Sequence, residues 1–119
     1  MSHSPARIET RSFEVPARLV HFIHGLVGRS NQTDSLAEAF REGLDRIQIR
    51  LLYESSSKVF DGLRKTLDAF QSESLETPVS MTTTRWIVLR LSAKEYAERD
   101  NMSPNELLNL SLVQYLHGH

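Results

Sequence analysis

The tetrapeptide Ser103-Pro-Asn-Glu106 constrains this 119-residue chain more than any other stretch. A serine followed three residues later by glutamate is a capping box, and Pro104 occupies the position where a first helical residue belongs. A helix must therefore begin here, and Leu107, Leu108, Leu110, Leu112, Val113 and Leu116 carry it to about His117. Upstream, Thr82-Thr-Thr-Arg-Trp-Ile-Val-Leu-Arg-Leu91 is rich in β-branched and aromatic residues and reads as a strand. Ser92 with Glu95 forms a further capping box, predicting a short helix over about 93–100, and Asp100-Asn101-Met102 turns the chain. The C-terminal third thus reads as strand, helix, helix.

The rest of the chain is mainly helical in pattern. Residues 7–15 alternate loosely and end at Pro16. From there to about Gly28 the apolar residues Leu19, Val20, Phe22, Ile23, Leu26 and Val27 recur at helical spacing. The polar run 28–33 breaks that helix. Ser35 and Glu38 stand in capping-box relation, and Leu36, Phe40, Leu44, Ile47 and Leu51 form the face of a second helix to about Tyr53. A third helix over about 58–70 carries the stripe Val59, Phe60, Leu63, Leu67 and Phe70. Residues 71–81 are polar, contain Pro78 and read as a linker. A chain this short, with no cysteine to form disulfides, is expected to fold as one compact domain stabilised by packing or self-association.

The segments Trp86-Ile-Val-Leu-Arg-Leu-Ser92 and Asn101-Met-Ser-Pro-Asn-Glu-Leu-Leu108 resemble the ribbon-helix-helix family of DNA-binding proteins, over residues 83–117. In that family two antiparallel strands form a ribbon that enters the major groove. The helices build an intertwined core, and the second helix starts near the DNA phosphates. The general physics agrees: a two-stranded ribbon fits the major groove, and free amides at a helix start attract an anion. With Ile87, Leu89 and Leu91 inward, strand parity turns Thr84, Trp86, Val88 and Arg90 outward. Arg90 then suits a guanine edge and Val88 a thymine methyl.

Residues 7–53 repeat the pattern more faintly, with Phe13 and Val15 inward and Thr10, Ser12 and Glu14 outward. The resemblance then implies an α+β, mostly helical protein with two strand-helix-helix units in one chain, 7–53 and 82–117. Strands 8–15 and 84–91 would pair as a ribbon, and 54–81 would supply a bridging helix and linker. Ser30 and Thr33 in the first unit, with Ser103 and Asn105 in the second, would approach phosphates. The implied partner is double-stranded DNA, and the implied role transcriptional regulation (a repressor, for instance), plasmid maintenance or accessory work in conjugative DNA transfer.

Two observations keep another reading open. Net charge is −1, so any nucleic-acid face must be local. A strand as apolar as 86–91 also suits burial on both faces, or pairing with a protein partner in an adaptor or antitoxin-like module. Self-association through the 59–70 stripe belongs to the same class. No catalytic motif or phosphate loop appears, so no enzyme and no cofactor is expected. His21 and His24 have the spacing of a two-histidine metal edge but lack further ligands, so no metal site is expected. Glu42, Asp45, Glu95 and Glu98 read as solvated helix faces paired with Arg41, Arg46, Lys94 and Arg99. Met1–Ala6 carries no apolar run and no stretch is long enough to span a bilayer, giving a cytoplasmic, membrane-free expectation.

Overall fold

Ser12-Phe13-Glu14-Val15 alternates polar and apolar with period two, and a strand formed there buries one face. In the computed structural model, which describes residues 10–82 and 101–118, this segment lies in β1 (Thr10–Pro16). There follow α1 (Ala17–Val27), α2 (Gln32–Arg50), α3 (Ser56–Glu73), β2 (Glu76–Thr82) and α4 (Pro104–His117). The protein is therefore α+β and mostly helical. β1 and β2 pair antiparallel along their full length, Thr10 opposite Thr82 and Pro16 opposite Glu76. Phe13 faces Val79 across the ladder and both are buried, as are Val15 and Met81. On the opposite parity Ser12, Glu14, Glu76, Pro78 and Ser80 are exposed, and Pro16, at the junction with α1, is buried.

β2 corrects the expectation of a linker over 71–81. Gln71–Glu73 belong to the end of α3, and Glu76–Met81 to a strand. The alternation of half-buried Thr77 and buried Val79 and Met81 with exposed Glu76, Pro78 and Ser80 is a strand signal, masked in the sequence by the proline. Pro78 is harmless there. It sits opposite Glu14, whose N–H and C=O turn away from β2 to an amide on α4, so the ladder needs no donor from Pro78. Strand 84–91 and helix 93–100, and with them the pairing of 8–15 with 84–91, lie outside the described residues. Among those described, the ladder partner of β1 is β2.

The helices follow their patterns with shifted ends. Gly28, at φ 73°, ends α1 in the left-handed conformation that glycine adopts without strain, and its N–H reaches the His24 carbonyl at 2.9 Å. Helix α2 begins at Gln32, not at the Ser35/Glu38 box. Asn31 is its cap, accepting the Asp34 N–H at 2.8 Å, and Ser35 is buried in the first turns. At its other end α2 stops at Arg50, and Leu51–Tyr53 form a turn. Ser55 caps α3, accepting the Lys58 N–H at 3.3 Å, and the helix runs past Phe70 to Glu73 because nothing before Ser74 interrupts it. The cap of α4 is the expected one: Ser103 Oγ accepts the Glu106 N–H at 3.0 Å, with Pro104 in the first turn.

Helix α4 is the axis of the core. Every residue from Leu107 to Tyr115 is buried, polar Asn109, Ser111 and Gln114 included. Its most extensive helix partner is α2, and α3 covers another side. At the crossing with α2, Gly43 lies so close to Ser111 that an added Cβ would fall 1.9 Å from the Ser111 carbonyl oxygen. Val59, Phe60, Leu63 and Leu67 seat α3 in the same cluster, while Phe70 is half-buried and meets Phe22 of α1 edge-on.

Tyr115 gives this core a spectroscopic handle. Burial chiefly, and then the Glu42 and Glu38 carboxylates, push its phenol above the ordinary tyrosine range. A raised acid pKa in the folded state means that stability is unaffected below the unfolded value of about 10 and falls as pH rises beyond it. On rapid alkaline titration, a late phenolate absorbance step coinciding with loss of helix is expected, and Tyr115→Phe should remove it. A late step that persists unchanged in Tyr115→Phe would show that the Tyr115 phenol is not the one held back by burial.

Candidate nucleic-acid interface

The outer face of the ribbon is built by strand parity. Ser12 stands opposite Ser80 and Glu14 opposite Pro78, all four exposed, with Thr10 opposite Thr82 at one end and exposed Glu76 at the other. Hydroxyls can bond base edges of either kind, and a carboxylate can accept from cytosine N4. No arginine or lysine shares this parity within β1 or β2; the only charged residues there are Glu14 and Glu76. Of the residues expected on the groove face, Ser12 is exposed on this parity, and Thr10 is placed only by its register opposite Thr82. Thr84, Trp86, Val88 and Arg90 lie outside the described residues.

Two helix starts were expected to meet phosphates. At α2, Ser30 is exposed in the preceding turn and Thr33 is half-buried in the first turn. Asn31 caps that helix, and Asp34 places a carboxylate in its first turn. At α4, the Ser103 hydroxyl is engaged as the cap, and Glu106 supplies the first-turn carboxylate, held by Arg64 Nε at 3.2 Å. A carboxylate in the first turn offsets the positive end of the helix dipole from within the chain. Both starts are therefore less attractive to an external anion than a bare helix N-terminus.

Asn105 is used differently from a phosphate ligand. Its Oδ1 accepts the Glu14 N–H at 2.8 Å and its Nδ2 donates to the Glu14 carbonyl at 3.2 Å. One turn further along α4, Asn109 Nδ2 donates to the same carbonyl at 2.9 Å and to the Asn105 carbonyl at 2.8 Å. Side-chain amides of α4 thus occupy the edge of β1 that a third strand would otherwise take. Among the described residues Asn109 Oδ1 is buried without a hydrogen-bond partner, and an acceptor left so costs about 1–3 kcal/mol. The sequence gives little warning of this: an asparagine within Leu107-Leu-Asn-Leu110 is the only cue.

Among the described residues, four guanidinium groups are committed to the fold. Arg18 pairs with Glu73 at 2.8 Å and lies over the Phe22 ring, and Arg29 pairs with Glu38, which raises the arginine pKa. Arg50 binds Glu54 at 2.9 Å and donates to Gln114 Oε1 at 2.7 Å, tying the end of α2 to α4. The hydrogen bond from Arg50 holds the Glu54 carboxyl below its ordinary range. Arg64 bridges Asp61 and Glu106, each at 3.2 Å. Arg41 and Arg46, expected to pair on their own helix, form no ion pair among the described residues; Arg46 lies beside Gly118 instead. His24 Nδ1 lies 2.8 Å from Ser35 Oγ, which also accepts the Arg29 N–H at 3.2 Å, so this histidine helps fasten the α1–α2 turn.

Comparison of the chain with protein-family models, curated proteins and solved structures finds no match.

Proposed function

We propose that the chain binds double-stranded DNA by laying its ribbon in the major groove, as a transcriptional regulator or as a plasmid or DNA-transfer accessory protein. The observation that carries this reading is the mounting of the ribbon. A strand-helix-helix unit, β1-α1-α2, pairs its strand antiparallel with a second strand of the same chain, while α2 packs against the last helix. An intrachain antiparallel ribbon seated on helices supports the ribbon-helix-helix reading, with 76–82 as the partner of β1 in place of the expected 84–91. A two-stranded ribbon with hydroxyls on its outer face is an object the major groove admits. In this reading Arg90 supplies cationic contact and Glu14 selects against misplaced phosphate.

A second reading is favoured by a specific observation, the exposed Glu14 and Glu76 on the ribbon's outer face. Two carboxylates and no cation on the outward parity of β1 and β2 suit a basic protein partner. Duplex binding at low salt separates the two. The DNA reading expects affinity that falls as salt rises, with slope set by few phosphate contacts, and that drops about tenfold or more on Arg90→Ala. Glu14→Gln should raise affinity for generic duplex several-fold by removing repulsion. No duplex affinity at low salt, or affinity indifferent to both substitutions, would overturn the groove assignment and leave the protein-partner reading.

A further inference from the structure

We infer that Asn105 and Asn109 are positioning residues, set on α4 to fix the height and tilt of the ribbon over the core. The inference rests on the DNA reading for its purpose, and on geometry for its mechanism. Asn105 offers Glu14 an acceptor and a donor in one planar amide, the same pair a neighbouring strand would offer, at 2.8 and 3.2 Å. Asn109, four residues on and therefore on the same face of α4, adds a second donor to the Glu14 carbonyl at 2.9 Å. The residue so gripped is the ribbon position whose side chain stands exposed on the outer face. Nothing about β1 alone fixes its angle to α4, because a two-stranded ribbon twists easily.

Asn109 also shows that stability alone does not account for the arrangement. It is 2% exposed, and its Oδ1 is buried with no hydrogen-bond partner among the described residues. A leucine, branched at the same carbon, would bury no orphan acceptor, and Asn105 would still hold the Glu14 carbonyl. An amide kept in the core at such a cost is best explained by where it holds the ribbon.

The test uses the full chain with Asn109→Leu and, separately, Asn105→Ala. In Asn109→Leu the removed orphan acceptor offsets the added bulk, so the variant should melt near the wild-type temperature, yet lose about tenfold in duplex affinity. Asn105→Ala should speed amide hydrogen exchange at Glu14 by about tenfold or more, read residue by residue, with core amides of α4 unchanged. Wild-type duplex affinity in both variants would overturn the positioning role, and unchanged Glu14 exchange in Asn105→Ala would overturn the clamp itself. If the wild-type chain binds no duplex, the DNA reading fails and takes the purpose of the clamp with it. The exchange measurement still decides whether the clamp exists.

Discussion

Gly43→Ala should lower the melting temperature by on the order of 10 °C, against every expectation from helix propensity. Alanine inside a helix is ordinarily better than glycine by about 1 kcal/mol. At Gly43 the added Cβ would lie 1.9 Å from the Ser111 carbonyl oxygen and 2.7 Å from its carbon, both backbone atoms of α4. Backbone cannot rotate out of the way, so α2 and α4 must separate where their contact is closest. Overpacking of this kind costs about 1–3 kcal/mol and occasionally more, and the burial of both helices places this site at the upper end. The internal control has the opposite sign. Gly62 sits in α3 with nothing within 4 Å of an added Cβ, so Gly62→Ala should stabilise by about 0.5–1 kcal/mol. Thermal unfolding of the two variants beside wild type checks both. Equal shifts, or a stabilising Gly43→Ala, would mean that α2 and α4 do not cross at this point.

The contrast between these glycines shows what kind of information a linear reading misses. Both occupy helical patterns, Gly43 beside Leu44 and Gly62 beside Leu63, and only the crossing partner distinguishes them. Local rules were sufficient where one residue decides one structure. Ser103 and Pro104 set the start of α4, and Phe13 and Val15 set the inward face of β1. They misled where two local signals competed. Asn31 and Ser35 both offer a cap, and the winner was the one upstream of the first turn; Ser35 was drawn into the fold by His24 and the Arg29 amide. Glu76–Thr82 was obscured by Pro78, whose harmlessness depends on what Glu14 does 64 residues earlier in sequence. The candidate site divides in the same way. Outward parity of Ser12 and Glu14 was legible, because period two is a property of the strand itself. The grip of Asn105 and Asn109 on Glu14 was not, since it joins residues 91 and 95 positions apart.

Phe60→Ala is expected to have the other large effect, a loss of about 3–5 kcal/mol, and it tests whether α3 is a bridge or a wall of the core. Phe60 is 1% exposed and ranks among the largest fully buried side chains, in one cluster with residues from both strands and the other three helices. Were α3 only a strap between two strand-helix-helix units, truncating it would loosen the strap and leave β1, β2, α2 and α4 folded. Urea unfolding would then show two transitions, each with a smaller slope than wild type. A shared core predicts a single transition, its midpoint moved far down and its slope unchanged, because the same surface is still exposed in one step. The expected loss is a large fraction of the 5–15 kcal/mol typical of a domain, so the variant should remain folded only in mild conditions. Leu75→Ala gives the reference: that side chain is 86% exposed between α3 and β2, and its removal should shift the midpoint by no more than about 0.5 kcal/mol. The cooperative result also has a consequence for the ribbon. β2 follows α3 after two residues, and the Arg18–Glu73 pair ties the end of α3 to the start of α1. A single transition would mean that the ribbon keeps its place only while α3 is packed, which makes this helix part of the ribbon's support rather than a connection through it.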